Sequence, residues 1–271
     1  MAKLFCISDI HGHLTHLEEA LSRIKEKAVE GDRLIFLGDY IDNGPDSGGV
    51  LRRVFELQKT YGPEQVIVLR GNHEEMLLEW LDTYAGPGAG EPEEYGLPPW
   101  NDWLNTDPEF QTLRTLITPT QMAFFRRVMP TLSEDSRNLT AAKTVLEHNR
   151  ELIRWLRGLP YFYETDKQIF VHAGVDEEAG EYWRFGTPES TFVGKFPATK
   201  GSFYKDIIAG HIGTYSVSGD RDFHDIFWDG ASHYYIDGTV YVSGRLPVLM
   251  YDEETGKYTS LSSTQRKEGS R

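Results

Sequence analysis

Three polar motifs each stand directly behind a short, largely apolar run, and this placement limits the fold more than any other feature of the chain. Asp9-Ile10-His11 follows Leu4–Ile7, Gly38-Asp39-Tyr40-Ile41-Asp42-Asn43-Gly44 follows Arg33–Leu37, and Gly71-Asn72-His73-Glu74 follows Val66–Leu69. Runs this short, bounded by turn residues, read as buried strands. Between the first two, Leu14, Leu17, Leu21, Ile24 and Ala28 recur at helical spacing, with Thr15 and Glu18 placed for a capping box. Val50, Leu51, Val54, Phe55 and Leu57 mark a second crossover helix. Alternating strands and helices predict an α/β fold, in which the motifs fall at C-terminal strand ends, where open α/β sheets bind ligands.

Two single histidines come later, in Val171-His172-Ala173-Gly174 and Gly210-His211. With the three earlier motifs they supply enough oxygen and nitrogen ligands for two divalent metals, leaving an acid pair over. Gly12, Gly38, Gly71 and Gly210 permit tight turns and close backbone approach beside those ligands. Carboxylate, carboxamide and imidazole without thiolate suit manganese, iron or zinc better than copper(I). The set is too rich in nitrogen for calcium.

The order and wording of the five motifs closely resemble metallophosphoesterases of the phosphoprotein-phosphatase type, also called calcineurin-like, over residues 3 to about 250. The resemblance implies a central β-sandwich flanked by helices (αββα) with a helical cap. It implies two divalent transition-metal ions, manganese foremost, bridged by Asp39. Asp9 and His11 complete the first site; Asn72, His172 and His211 complete the second. It also implies that His73 is a general acid oriented by Asp42, and that a metal-activated water attacks phosphorus directly.

One position departs from the family. Its Asp-Arg-Gly is here Asp42-Asn43-Gly44, and asparagine cannot clamp a phosphate bidentately as arginine does. Arg184, in Tyr182-Trp183-Arg184-Phe185, is a candidate replacement; the alternative is a surface arginine stacked on Trp183. The expected activity is phosphomonoester hydrolysis of the serine/threonine protein phosphatase type. One alternative is a dinucleoside polyphosphate hydrolase, a branch that often lacks the aspartate found here at Asp42 while keeping the arginine. The non-enzyme alternative is a phosphate-sensing or partner-binding module.

Residues 80–160 read as a mainly helical insertion over the metal site, opened by a Gly/Pro/Glu-rich loop at 86–99. Strands are expected at Ile169–His172, Ile207–Ala209, Tyr234–Ile236, Val240–Ser243 and Leu246–Tyr251, the last two antiparallel. The chain reads as a single domain, with the polar tail from Ser262 expected to be disordered. Glu74 and Glu75 are expected to begin a helix with their charge at its positive end. His13, His16, His148, His224 and His233 match no motif and read as surface or core histidines.

A formal net charge of −14 argues against nucleic-acid or anionic-membrane partners, since no basic stripe could release counterions from a phosphate backbone. A phosphorylated protein or small phosphoester remains the expected partner, because metals invert the local sign. Lone Cys6, inside an apolar run, reads as a buried strand residue. No apolar run reaches membrane-spanning length, and Met1-Ala2-Lys3-Leu4-Phe5 lacks a signal-peptide pattern, so a cytoplasmic location is expected.

Overall fold

A computed structural model describes residues 2–86 and 103–261. Its strands are β1 (Lys3–Ile7), β2 (Arg33–Phe36), β3 (Val66–Val68), β4 (Phe162–Glu164), β5 (Gln168–Val171), β6 (Asp206–Ala209), β7 (Phe227–Trp228), β8 (His233–Tyr235), β9 (Leu249–Asp252) and β10 (Lys257–Ser260). The helices before β4 are α1 (Leu14–Lys25), α2 (Ser47–Tyr61), α3 (Asn72–Ala85), α4 (Trp103–Thr106), α5 (Leu113–Leu116), α6 (Pro119–Val128), α7 (Glu134–His148) and α8 (Arg150–Arg157). Short helices follow: α9 (Trp183–Gly186), α10 (Glu189–Gly194), α11 (Thr214–Ser218) and α12 (Val240–Ser243).

The strands form two mixed sheets, ordered β10-β9-β1-β2-β3 and β4-β5-β6-β8-β7. In the first, β1, β2 and β3 run parallel and β9 pairs antiparallel to β1. In the second, β5, β6 and β8 run parallel, with antiparallel strands at both edges. Side chains alternate faces along a strand, and that period sorts the core into three layers. Leu4, Cys6, Ile35, Leu37 and Ile67 meet Phe170, Ile208 and Ile236 between the sheets. Their neighbours Phe5, Ile7, Phe36, Val66 and Val68 face the helices that precede β4. On the opposite side, Ile169, Val171, Ile207 and Ala209 pack against Val175, Trp183, Phe192 and Val217. This is the αββα sandwich expected, and Cys6 is buried within it.

Two local expectations need correction. Val240–Ser243 is not a strand but α12, bounded by Thr239 (φ 53°) and Gly244 (φ 66°), whose left-handed turns leave no extended run. No capping box opens α1: His13 precedes it without a side-chain cap, and Glu18 pairs with Arg53 instead. The edge strands β4, β7 and β10 lacked a signal, because they are only two to four residues long and carry no apolar run.

The helices of the 80–160 segment are not set apart from the main core. Trp80 on α3 lies 5.0 Å, centroid to centroid, from Trp103 on α4, and its Nε1–H donates to Asn138 on α7 at 2.8 Å. From residue 87 the expected loop lies outside the described residues, as does the tail from Ser262. Among the described residues no helix is long and apolar enough to cross a membrane.

Candidate metal centre

The parallel strands of both sheets point their C-terminal ends at one place. Asp9 and His11 follow β1, Asp39 follows β2, His172 follows β5 and His211 follows β6; Asn72 begins α3 just beyond β3. The turns are sharp. Among the described residues, six of the nine non-glycine positions with positive φ are Asp9, His11, Asp39, Asp42, Asn43 and His211. Left-handed backbone at non-glycine residues costs energy and gathers at sites where function fixes side-chain direction. Two glycines admit this crowding. A Cβ on Gly71 would fall 2.2 Å from Asp39 Oδ1, and one on Gly210 would fall 2.1 Å from Asp9 Oδ2.

Asp39 belongs to two clusters whose ligand-type atoms lie within 4.8 Å of one another, His11–Asp39–His73 and Asp39–His172–His211. One carboxylate oxygen faces each: Oδ2 is 3.7 Å from His11 Nε2, and Oδ1 is 3.4 Å from His172 Nε2. Asn72 Oδ1 lies 2.9 Å from His172 Nε2 and 3.0 Å from His211 Nδ1. Both oxygens of the buried Asp9 carboxylate accept from the His211 N–H at 3.1 Å.

The protonation pattern leaves these atoms without protons to share. His11 Nδ1–H donates to Ile41 O at 2.9 Å and His172 Nδ1–H donates to Leu37 O at 3.1 Å. Burial lowers both rings, His172 to about 3, so each is neutral and its Nε2 carries a bare lone pair. Burial alone would raise the Asp39 carboxyl, but His172, His73, His11 and His211 together hold it well below the usual carboxylate range. Two bare imidazole nitrogens therefore face an ionised carboxylate. The His73 backbone N–H donates to Asp39 Oδ1 at 3.2 Å, but no donor reaches the two imidazole nitrogens from that carboxylate, and converging acceptors are costly when buried. Divalent cations held by these residues would satisfy both sets, and the mixed oxygen–imidazole donors fit transition metals.

His73 sits beside this centre on different terms. Its Nδ1–H donates to Asp42 Oδ2 at 2.8 Å, and its Nε2 lies 3.9 Å from Asp39 Oδ2. Burial would lower this ring, but the Asp39 charge, then the Asp42 hydrogen bond and charge, raise it to about 9. These charges favour the protonated ring, whose Nε2 faces the metal centre. Asp42 accepts two further hydrogen bonds, from Trp103 Nε1–H to Oδ2 at 3.1 Å and from the Thr112 hydroxyl to Oδ1 at 2.6 Å.

The two candidate phosphate contacts lie differently. Asn43 is exposed beside Asp42 at φ 60°, a conformation asparagine adopts more readily than arginine. Arg184 is not brought to the cluster. Its half-exposed guanidinium pairs with Glu164 and lies 5.9 Å from the Trp183 ring centre. Glu164 pairs with Ile169, toward the start of β5, whereas His172 follows that strand's end. Among the unmatched histidines, His13 meets His16 at 5.4 Å and joins neither cluster.

Several contributions to the site had no reading in the sequence. Glu74 does open α3, but it is wholly buried and accepts from the N–H groups of Asp39, Tyr40, Ile41 and Gly71, clamping the Asp39 turn to the helix. Burial, then Asp39, raises it to about 7. Asp237, just beyond β8, is buried near Asp9 and burial raises it to about 7 as well. The Tyr241 ring meets His11 edge-on at 5.4 Å. Glu74 was visible inside its motif; Trp103, Thr112, Asp237 and Tyr241 belong to no motif.

The sequence profile of the family described as "Calcineurin-like phosphoesterase" matches residues 2–244. A "Bis(5'-nucleosyl)-tetraphosphatase, symmetrical" of Janthinobacterium sp. (strain Marseille) is 27% identical over 171 residues, 63% of this chain and 43% of that protein. The chain spans less than half the length of the curated relatives it matches first. A solved structure described as a "putative diadenosine tetraphosphatase" superposes with a TM-score of 0.55 at 16% identity, covering 97% of this chain and 95% of the other. A cold-active protein tyrosine phosphatase superposes with a TM-score of 0.53 at 14% identity, covering 96% and 79%. At these identities the two structures speak for the fold.

Proposed function

Since the chain belongs to the calcineurin-like phosphoesterase family, we propose that it hydrolyses phosphomonoesters, in the manner of the serine/threonine protein phosphatases, with two divalent metals and a histidine proton donor. The observation that carries this reading is a carboxylate, Asp39, shared by two histidine clusters, with His73 hydrogen-bonded to Asp42. Asp9, His11 and Asp39 would hold one ion; Asp39, Asn72, His172 and His211 would hold the other. When bound, such a pair polarises phosphoryl oxygens and activates a water for in-line attack. Manganese leads iron and zinc as the pair these donors would take.

The chain's own residues do the rest. Ile41 O and Leu37 O fix the tautomers of His11 and His172, so that each presents Nε2. Glu74 keeps the Asp39 turn in place. Asp42 holds His73 Nδ1, and Nε2–H is left to protonate the departing oxygen. Cations at Asp39 would draw the His73 pKa back toward neutrality, where a general acid works best. Asn43 at the rim would meet the substrate phosphate weakly. Arg184, bound to Glu164, would join only by leaving that partner.

A proton donor separates this reading from its competitor. An alkoxide leaving group needs a proton far more than a phosphate leaving group does, so a maintained His–Asp pair favours ester cleavage. The second reading, a dinucleoside polyphosphate hydrolase, is favoured by the name of the Janthinobacterium relative. Manganese-loaded protein offered a phosphopeptide and diadenosine tetraphosphate decides between them: faster turnover of the phosphopeptide supports the first, faster anhydride cleavage the second. Turnover of neither, nor of p-nitrophenyl phosphate, overturns both.

A further inference from the structure

We infer that Trp103 and Thr112 are positioning residues that lock the Asp42 carboxylate, and through it His73, in the orientation needed for proton delivery to the leaving oxygen. The inference rests on the proposed acid role of His73. Both residues come from the helical segment between β3 and β4, from α4 and from the turn before α5. Neither is near the metal ligands in sequence, and both are buried, at 2% and 0% exposure.

The hydrogen-bond census around Asp42 closes without a gap. Oδ2 accepts from His73 Nδ1–H at 2.8 Å and from Trp103 Nε1–H at 3.1 Å. Oδ1 accepts from the Thr112 hydroxyl at 2.6 Å. That commits the single Thr112 proton, so the Ser47 hydroxyl, 3.0 Å away, donates to Thr112 Oγ1. The Asp42 N–H reaches both hydroxyl oxygens, Ser47 at 3.0 Å and Thr112 at 3.2 Å. Thr112 is itself anchored: its N–H and that of Leu113 donate to the Asp107 carboxylate at 3.0 to 3.1 Å.

Packing alone does not account for this arrangement. Filling the space beside Trp80 requires an aromatic ring, not an indole N–H aimed at a carboxylate oxygen. A carboxylate held only by His73 could turn about its Cβ–Cγ bond and swing the imidazole with it. With a donor on the second oxygen and a second donor on the first, that rotation is blocked, and the ring keeps Nε2 facing Asp39. Supporting donors of this kind determine how precisely a working side chain is held.

The test uses full-length, manganese-loaded protein with two substrates, an alkyl phosphate and p-nitrophenyl phosphate, whose leaving groups differ in their need for a proton. Trp103→Phe keeps the ring and removes the N–H; Thr112→Val is isosteric and removes the hydroxyl. Either should lower kcat for the alkyl phosphate roughly 10-fold or more, the scale of one hydrogen bond to a charged group. The loss on p-nitrophenyl phosphate should be much smaller, with KM and metal content unchanged. Thr112→Ser, which restores the donor, should restore the alkyl phosphate rate. The two sites differ in position and size, so one variant that fails to fold leaves the other as the readout. Equal losses on both substrates, or none on either, would overturn the positioning role. If His73→Ala discriminates between the substrates while these variants do not, the positioning role alone falls. If His73→Ala is also blind to the leaving group, the acid reading falls and takes the positioning role with it.

Discussion

The metal centre and the acid pair lie side by side, yet they are built in opposite ways. Every candidate metal ligand lies beyond the C-terminal end of a parallel strand, and the backbone carbonyls that set its histidine tautomers, Leu37 O and Ile41 O, follow β2. The acid pair has one member in this framework, Asp42, and one on α3, but the other hydrogen bonds to the Asp42 carboxylate come from a helical segment some sixty to seventy residues further along. Strand ends from two sheets thus place the candidate ligands, while helices between β3 and β4 hold the Asp42 carboxylate that pairs with His73. The difference teaches that damage to the strand ends should remove binding and chemistry together, whereas damage to the helical side should remove proton delivery alone.

The comparison is broken most severely at Asp39. Asp39→Asn removes the charge that both histidine clusters share and should lower hydrolysis by about 10³-fold or more on every substrate, since each lost metal contact is worth several kcal/mol. A rate ratio between alkyl and nitrophenyl phosphates identical to wild type would place the loss at the strand ends. His73→Ala comes next: roughly 10²–10⁴-fold on an alkyl phosphate, far less on p-nitrophenyl phosphate, with metals retained. Loss of metal in that variant would merge the two regions into one.

Asn43→Arg probes the rim where the regions meet. A charge-assisted contact of about 1.5–3 kcal/mol should strengthen inhibition by inorganic phosphate about 10-fold or more. The backbone at φ 60° opposes the change, so a gain below that range is the expected signature of strain. No gain here together with a large loss in Arg184→Ala would show that Arg184 leaves Glu164 to serve the phosphate.

The smallest effect lies outside both regions. Burial alone would lower the pKa of His233, but hydrogen bonds and charge from Glu177 and Asp229, with Lys195 bound to the same Glu177, leave it raised above its ordinary value. A raised folded pKa means stabilisation fully present below the unfolded value, about 6.5, and lost as pH climbs through the folded one. His233→Gln should therefore lower Tm by a few degrees at pH 6 and by less at pH 9, while metal content stays fixed; about 1 kcal/mol corresponds to roughly 2–4 °C in a chain of this size. An equal shift at both pH values would remove His233 as the titrating group.

The same contrast explains what could be read from the chain beforehand. Strand-end motifs are local: Asp9-Ile10-His11 and Gly71-Asn72-His73-Glu74 carry their polar side chains and their turn glycines within four residues, so the placement of these side chains behind strands was legible. His73 and Asp42 were legible because each lies inside such a motif. Trp103 and Thr112 were not, because their contact with Asp42 exists only once α3, α4 and α5 have packed. Glu74 was read as a charge at a helix start, and it is one, but only the fold turns four backbone N–H groups toward it. The reading of Val240–Ser243 as a strand failed for the converse reason. β-branched residues favour strands, but the left-handed turns at Thr239 and Gly244 decide the local path.

The central claim is that Asp39 joins two metal positions. Elemental analysis of purified, metal-replete protein addresses it most directly, because it counts ions without reference to any substrate. The account predicts two transition-metal ions per chain in the wild type and a loss from both positions in Asp39→Asn. One ion or none in the wild type, or two ions retained by Asp39→Asn, would contradict it.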